Sequence, residues 1–380
     1  MNQHDLQFSN APGAKRKFFH KSLVVAAASL MLSAVALPAS AAAGWWDPTP
    51  SLSIGSTTIN VRTKGALGNG VHNDTAAFQA AINALPSSGG TVYVPAGRYM
   101  IDAGRGVRLR SHTRLQMAST AELDVIPNSL STSEAIQVYN VNNVEIVGGR
   151  IVGDRVKHKG SSGEWGYAIK ILGASKVLVK DIHISNCWGD GMWIGGTGRG
   201  SSLVRSTYIT LNNVVANNNR RQGLSIGPSR YVYVTNSTFS NTNGTLPEAG
   251  IDIEPQTQGP VSDVRLYNLT LTGNRGNGLE LHYNISHITV TQSTITGNHG
   301  FGALAVSAPY LTFTNNRITK NGLSGIGTAG TTHNVGIYTN VLNYNSTRYA
   351  SPTKPGGTAN RDLQIGSSSW AISHSGNTYY

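Results

Sequence analysis

The chain has 380 residues, of which 13% are charged and 7% aromatic, with 44 glycines and a hydrophobic content of 39%. So little charge disfavours helical bundles and coiled coils, and that much apolar content excludes a disordered chain, which leaves an all-β protein rich in turns. Thirty Lys and Arg against eighteen Asp and Glu give a net charge of +12, an excess that suits an anionic partner.

Part of that excess sits at the start. Lys15, Arg16, Lys17 and Lys21 precede an apolar run from Ser22 to Leu37 and then Ala39-Ser40-Ala41, the order of a secretory signal peptide with a small-residue cleavage site. The run is shorter than the roughly 20 residues that span a bilayer. Residues 1–43 are therefore expected to be removed, leaving 44–380 as one secreted or periplasmic domain that is still net basic and has no membrane partner.

Next comes a cap, over about 60–100. Asn73-Asp74-Thr75 marks a helix start, and Phe78, Ala81, Ile82 and Leu85 follow at i, i+3, i+4 and i+7 before Pro86 stops the helix. Such a helix would cover the open apolar end of a coil stack. Gly65-Ala66-Leu67-Gly68-Asn69-Gly70, the helix itself and Gly89-Gly90-Thr91-Val92-Tyr93-Val94-Pro95-Ala96-Gly97-Arg98-Tyr99 together resemble the opening of the pectate-lyase superfamily, with its rhamnogalacturonase- and epimerase-like members. The resemblance implies a parallel β-helix and a carbohydrate-active protein, and it leaves the reaction open, because this opening heads several chemistries.

From about 101 to 345 two strand-like clusters alternate. The first series runs from Ile136-Gln137-Val138 through Ile169-Lys170-Ile171, Met192-Trp193-Ile194, Leu224-Ser225-Ile226, Ile251-Asp252-Ile253 and Leu279-Glu280-Leu281 to Ala303-Leu304-Ala305. Members of the second, from Val144-Glu145-Ile146 to Val335-Gly336-Ile337, recur at about 23 or about 32 residues, a solenoid period with insertions in its loops. A third short strand follows in each coil at Phe239, Leu271, Ile295 and Ile318, and then Asn241, Asn274, Asn298 and Asn321. Those asparagines are expected to form one αL ladder inside a turn. The fold class is thus all-β: a right-handed parallel β-helix, or solenoid, with a short N-terminal capping helix. Cys187 is the sole cysteine, so no intrachain disulfide forms, and its place after Ile182-His183-Ile184 makes it a buried hydrophobe.

Alternation along the first-series strands turns each middle residue outward. Stacked coils then align Gln137, Lys170, Trp193, Ser225, Asp252, Glu280 and Leu304, and beside them Tyr139, Leu172, Gly195, Gly227, Glu254, His282 and Val306. Asp252, Glu254, Glu280 and His282 become one square of ionisable groups, next to open ground at Gly195 and Gly227. Trp193 offers a sugar platform, while Lys170, Asp190, Arg220, Arg221 and Tyr283 are further candidate substrate contacts.

Paired carboxylates can split acid and base duties across a glycosidic bond. The leading expectation is therefore a glycoside hydrolase with Asp252 and Glu280 or Glu254 as the pair, His282 tuning them, and no cofactor. A second expectation is a lyase or C5-epimerase on a uronic-acid polymer. Asn277-Gly278-Leu279-Glu280-Leu281-His282-Tyr283 is similar in spacing to the Tyr-Gly-Phe-Asp-Pro-His element of mannuronan epimerases, with Glu for Asp, Leu for Pro and Asn for the catalytic Tyr. That resemblance implies His282 as base with Glu280 as its neighbour; alternatively, Asp252, Glu254 and Glu280 would hold Ca²⁺ as in pectate lyases, with Arg220 or Arg221 as base. Polygalacturonase motifs are only echoed, at Gly189-Asp190-Gly191 and Gly250-Ile251-Asp252. A third expectation is a carbohydrate-binding β-helix without catalysis.

Other signals are weaker. His183, His287 and His299 lack metal-ligand spacing, Gly195-Gly196-Thr197-Gly198 opens no helix to cradle phosphate, and no recognition module supports a nucleic-acid partner. Pro352, Pro355, Gly356 and Gly357 mark an exposed loop within 346–361, after which Leu363-Gln364-Ile365 and Trp370-Ala371-Ile372 are expected to cap the far end.

Overall fold

The computed structural model describes residues 44–255, 257–348 and 362–379. The expected signal peptide, and nearly all of the loop expected over 346–361, lie outside the described residues. Among those residues the first-series strands form a ten-stranded sheet, here the front sheet, running from Val107–Arg108 to Leu363–Ile365. The second and third strands of the coils share a twenty-two-stranded sheet. Neighbouring coils pair in parallel throughout both. The architecture is the right-handed parallel β-helix that parallel crossover connections favour.

Register explains the repeats. Ile136, Ile169, Met192, Leu224, Ile251, Leu279, Ala303 and Ile326 are successive partners, and all point inward and are fully buried. Each large member contributes about 1.5–3 kcal/mol of burial free energy. A glycine stands just before most of these inward positions, and its close approach is what lets coils stack. At Gly250 an added Cβ would lie 2.7 Å from the Gly278 carbonyl oxygen, and at Gly278 it would lie 2.6 Å from that of Gly302. Any side chain there pushes two coils apart.

The four asparagines expected in one ladder fall in two rows. Asn274, Asn298, Asn321 and Asn345 form the inner row. Asn298, Asn321 and Asn345 each accept, through Oδ1, the backbone N–H and the Nδ2–H of the asparagine before them, as Asn298 does from Asn274 at 3.1 and 2.8 Å. Asn241 belongs to an outer row one residue earlier, with Asn186 and Asn218, and it is this outer row that takes αL backbone. The αL ladder expected at Asn241, Asn274, Asn298 and Asn321 therefore splits, because an inward amide must bridge coils with both its donor and its acceptor, whereas a solvent-side one turns the corner.

The capping helix is Thr75–Asn83, with Phe78, Ala81 and Ile82 buried and Leu85 buried just beyond it. Its start is where Asn73-Asp74-Thr75 place it. Asn73 Oδ1 accepts from the backbone and hydroxyl of Thr75, while Asp74 turns away to take the backbone N–H groups of Leu67 and Gly68. Cys187 is buried as expected, and burial pushes its thiol up. Leu363–Ile365 and Trp370–Ser375 form the last described coil of the stack. They pair with Ile326–Ala329 and His333–Tyr338 as one more coil, whose Trp370–Ser375 strand is largely exposed.

That last coil ends the inner row on Asp362, whose Oδ1 accepts from Asn345 N and Nδ2 at 3.0 and 2.9 Å. Its Oδ2 stands where the preceding members carry an N–H that donates to a strand carbonyl, and this buried oxygen has no hydrogen-bond partner. Burial pushes the carboxyl from 3.8 up to about 6, against the hydrogen bonds from Asn345. A raised carboxyl pKa means that the folded state holds the proton more tightly than the unfolded chain. Stability should therefore be lost as pH rises from about 4 through about 6. The Asp362→Asn variant is expected to lose that dependence and to gain roughly 1–3 kcal/mol at pH 8, read from urea unfolding at several pH values; an unchanged or lower stability at pH 8 would exclude this account.

Candidate active site

The outward column is assembled as the alternation requires. Gln137, Lys170, Trp193, Ser225, Asp252, Glu280 and Leu304 are consecutive register partners on the front sheet. A further column, three residues earlier on each coil, holds Asp190, Gln222, Ala249 and Asn277. The sequence reading missed Gln222 and Asn277 as site residues. Their signal was the recurring x-Gly-apolar-x unit in Asp190-Gly191-Met192-Trp193, Gln222-Gly223-Leu224-Ser225, Ala249-Gly250-Ile251-Asp252 and Asn277-Gly278-Leu279-Glu280.

Those two amides organise the centre. Asn277 Oδ1 accepts the Phe301 backbone N–H at 2.6 Å, which leaves its Nδ2 to donate to Glu280 Oε1 at 2.5 Å. Gln222 Oε1 accepts from Arg221 Nη1 at 3.0 Å and from the Ser225 hydroxyl, so its Nε2 donates to Asp252 Oδ2. Each carboxyl group thus has one oxygen held by a side-chain amide. The other oxygens, Asp252 Oδ1 and Glu280 Oε2, both face His282 Nε2, at 3.5 and 3.4 Å.

Burial grades across this triad: Asp252 is 2% and Glu280 5% exposed, while the His282 side chain is 25% exposed. Burial and then the charge of Glu280 push the Asp252 carboxyl well above the usual range, with His282 opposing. Burial disfavours charge on His282, but the hydrogen bond to Glu280 and the charges of Asp252 and Glu280 outweigh it and push the imidazole up to about 9. The result is a protonated imidazolium over two carboxyl groups, one of them held toward its neutral form.

Asp190 and Arg221 form a second centre beside the first. Arg221 Nη1 donates to both oxygens of Asp190, at 3.2 and 3.1 Å, and its Nε lies 3.9 Å from Glu164. Burial drives the fully covered Asp190 up, opposed by Arg221 and by the Ser225 hydroxyl at 2.7 Å. Further along, Lys170 Nζ donates to Glu134 at 2.7 Å and sits 4.7 Å over the Tyr167 ring, while the Tyr139 hydroxyl also donates to Glu134.

Several expected placements change. Gly195 and Gly227 are not open ground: an added Cβ at Gly195 would lie 2.6 Å from Trp193 Nε1, and one at Gly227 3.4 Å from Trp193 Cζ2. The indole lies across both glycines, so the platform fills the space expected beside it. Arg220 does not join the centre; it stacks 3.8 Å over Trp188 and donates to the carbonyls of Gly163 and Trp188. Tyr283 is exposed next to His282. Asp252, Glu254 and Glu280 do not converge as a calcium cage. Among the described residues the converging donor atoms come from Asp252, Glu280 and His282, two oxygens and one nitrogen where Ca²⁺ takes six to eight oxygens.

Residues 58–245 match the family model for rhamnogalacturonase A/epimerase, pectate lyase-like proteins, and residues 234–351 match that for the right-handed β-helix region. The uncharacterized protein YclG of Bacillus subtilis is 29% identical over 269 residues, which is 65% of this chain and 44% of its own. The chain spans less than half the length of the first curated relatives it matches. Among solved structures, the A-module of mannuronan C-5 epimerase AlgE6 from Azotobacter vinelandii aligns with a TM-score of 0.67 at 20% identity, covering 84% of this chain and 85% of that one. The surface protein and adhesin PfbA of Streptococcus pneumoniae aligns at 0.66 and 17% identity, covering 85% and 97%. At these identities the likeness is one of fold.

The second centre supports a stability test. Arg221→Met leaves the Asp190 carboxylate buried without its counter-charge, and should lower unfolding free energy by about 3–5 kcal/mol at pH 8 and by less at pH 5, where Asp190 can take up a proton. Adding Asp190→Asn should recover part of the loss; equal losses at both pH values in the single variant would show that the pairing is not what Arg221 contributes.

Proposed function

The chain belongs to the pectate lyase-like superfamily of right-handed parallel β-helices, and on that premise we propose that it is an extracytoplasmic polysaccharide-active enzyme that hydrolyses glycosidic bonds over the Asp252–Glu280 coils. One observation carries the reading: two carboxyl groups at the same register on adjacent coils, each with one oxygen anchored by an amide and the other turned to a shared imidazole. In this arrangement Asp252 is the proton donor to the leaving oxygen, and Glu280 is the carboxylate that assists attack on the anomeric carbon. His282 is the most exposed of the three, so a sugar ring meets it first, and rotation of the imidazole uncovers the two oxygens. Gln222 and Asn277 are positioning residues. Trp193, lying along the column, and Tyr283 form the apolar contacts with the polymer, and the Lys170 and Asp190–Arg221 groups stiffen the groove floor.

Charge pairing supports hydrolysis over elimination. A lyase or epimerase on a uronate must neutralise the substrate carboxylate with a cation. Here Lys170 is matched by Glu134, Arg221 by Asp190 and His282 by Asp252 and Glu280. The cations that stand beside the carboxyl pair on the groove floor are thus already matched, which favours a polymer neutral at the cleaved bond. The names of its structural neighbours span catalysis and adhesion. A binding surface, however, gains nothing from two crowded carboxyl groups that oppose folding.

The test is to incubate the purified protein with neutral and uronic-acid polysaccharides while following new reducing ends and the absorbance of unsaturated products. Reducing ends without absorbance are expected, with Asp252→Asn and Glu280→Gln each lowering the rate at least about 100-fold while melting at or above the temperature of the parent. Unsaturated products would transfer the reaction to elimination, and saturable glycan binding without any product would make the chain a binding protein.

A further inference from the structure

The Asp252, Glu280 and His282 side chains leave one geometric fact that acid–base duty does not explain. Nε2 of His282 lies 3.5 Å from Asp252 Oδ1 and 3.4 Å from Glu280 Oε2. Charge-assisted N–H···O contacts close to about 2.7–2.9 Å. Asp252 Oδ1 accepts no hydrogen bond at all, although its side chain is buried and points to the imidazole. For ligands about 2.0–2.1 Å from a tetrahedral ion, the distance between any two ligand atoms is about 3.4 Å. These two separations match edges of such a tetrahedron and are long for charge-assisted hydrogen bonds. One donor atom from each residue lies within 4.8 Å of the others.

Surrounding contacts fit the same requirement. Ligand side chains in metal sites are held by outer hydrogen bonds that fix their orientation. Gln222 donates to Asp252 Oδ2 and Asn277 donates to Glu280 Oε1, and both amides are locked by their own partners. The carboxyl groups therefore present Oδ1 and Oε2 without rotating. The donor set is one imidazole nitrogen and two carboxylate oxygens, which suits Zn²⁺ or Co²⁺ and not Ca²⁺ or Mg²⁺, ions that prefer more oxygens in larger or octahedral shells. With three protein ligands the fourth position is left to water or substrate.

We propose that Asp252, Glu280 and His282 form a binding site for a zinc-type divalent cation, and that the bound ion inhibits the hydrolysis assigned to the same groove. The inhibitory half rests on that functional reading: an ion on Oδ1 and Oε2 occupies the two oxygens that proton transfer and attack require. The binding half stands on geometry alone.

Untagged protein is stripped with a chelator, dialysed, and titrated with ZnCl₂ in a calorimeter without substrate. One site per chain is expected, weakened at least about 100-fold in His282→Ala and about 10–100-fold in Gln222→Leu, which alters only an outer contact. CoCl₂ added to the unaltered protein tests the geometry with no variant needed, since a tetrahedral site gives intense visible absorption and an octahedral one a pale spectrum. A missing zinc isotherm, an isotherm unchanged in His282→Ala, or a pale cobalt spectrum overturns the site. Where cleavage is measurable, stoichiometric Zn²⁺ should suppress it and chelator should restore it. Binding without suppression overturns the inhibitory half, whereas failure to find any cleaved polymer bears on the hydrolase reading and leaves the isotherm to decide the site.

Discussion

Every coil of this molecule must close on its neighbour within one strand spacing, about 4.8 Å, and that single constraint sets what each position can be. Glycines such as Gly250 and Gly278 mark places where a Cβ would strike the next coil's carbonyl. The inner asparagine row marks places where a turn would otherwise bury unpaired backbone N–H groups, and each side chain satisfies the amide of the coil before it. Aliphatic columns fill what remains. None of these devices is strong alone. Repetition makes them cooperative, because a coil displaced from register loses its strand pairing, its amide bridge and its packing together.

The same constraint builds the site. Parallel stacking turns residues far apart in sequence into neighbours at fixed spacing, so Asp252 and Glu280 are adjacent without any loop to bring them together. It also prevents them from separating. Two carboxyl groups held at that distance in covered surroundings cannot both ionise freely, and the structure meets the problem with an imidazolium and two amides rather than by moving the strands. A rigid scaffold thus converts a sequence repeat into an electrostatic conflict, and the conflict is the chemistry.

The fold was legible because its signals repeat. The alternating apolar triplets, the period near 23 and the outward column all follow from a two-residue pleat multiplied over coils, and the registers agree with them residue by residue. What the sequence hid depended on side-chain conformation. Trp193 could be placed on the column, but whether its indole stood beside Gly195 and Gly227 or lay across them depends on a rotamer. Asn241 sits one residue from the inner row, and only backbone conformation separates an amide that bridges coils from one that turns a corner. Gln222 was passed over, and Asn277 was noted only as a departure from a motif, because amides carry no charge to attract notice, although both recur three residues before an outward position, just as Asp190 does.

Burial of the Asp252–Glu280 pair opposes folding, since transfer of carboxyl groups from water is compensated only in part by hydrogen bonds and one imidazole. A column running Gln137, Lys170, Trp193, Ser225 and then Asp252 and Glu280 shows that other side chains are accommodated at that register with less strain, and Leu304 takes the next step apolar. The scaffold tolerates the pair because stability in a solenoid is spread over many coil interfaces, each contributing a little, so two coils can carry an unfavourable centre without unravelling the stack. Locally destabilising polar groups, each anchored through one oxygen and facing a groove, are what pre-organised chemistry requires. Nothing in coil stacking alone calls for them.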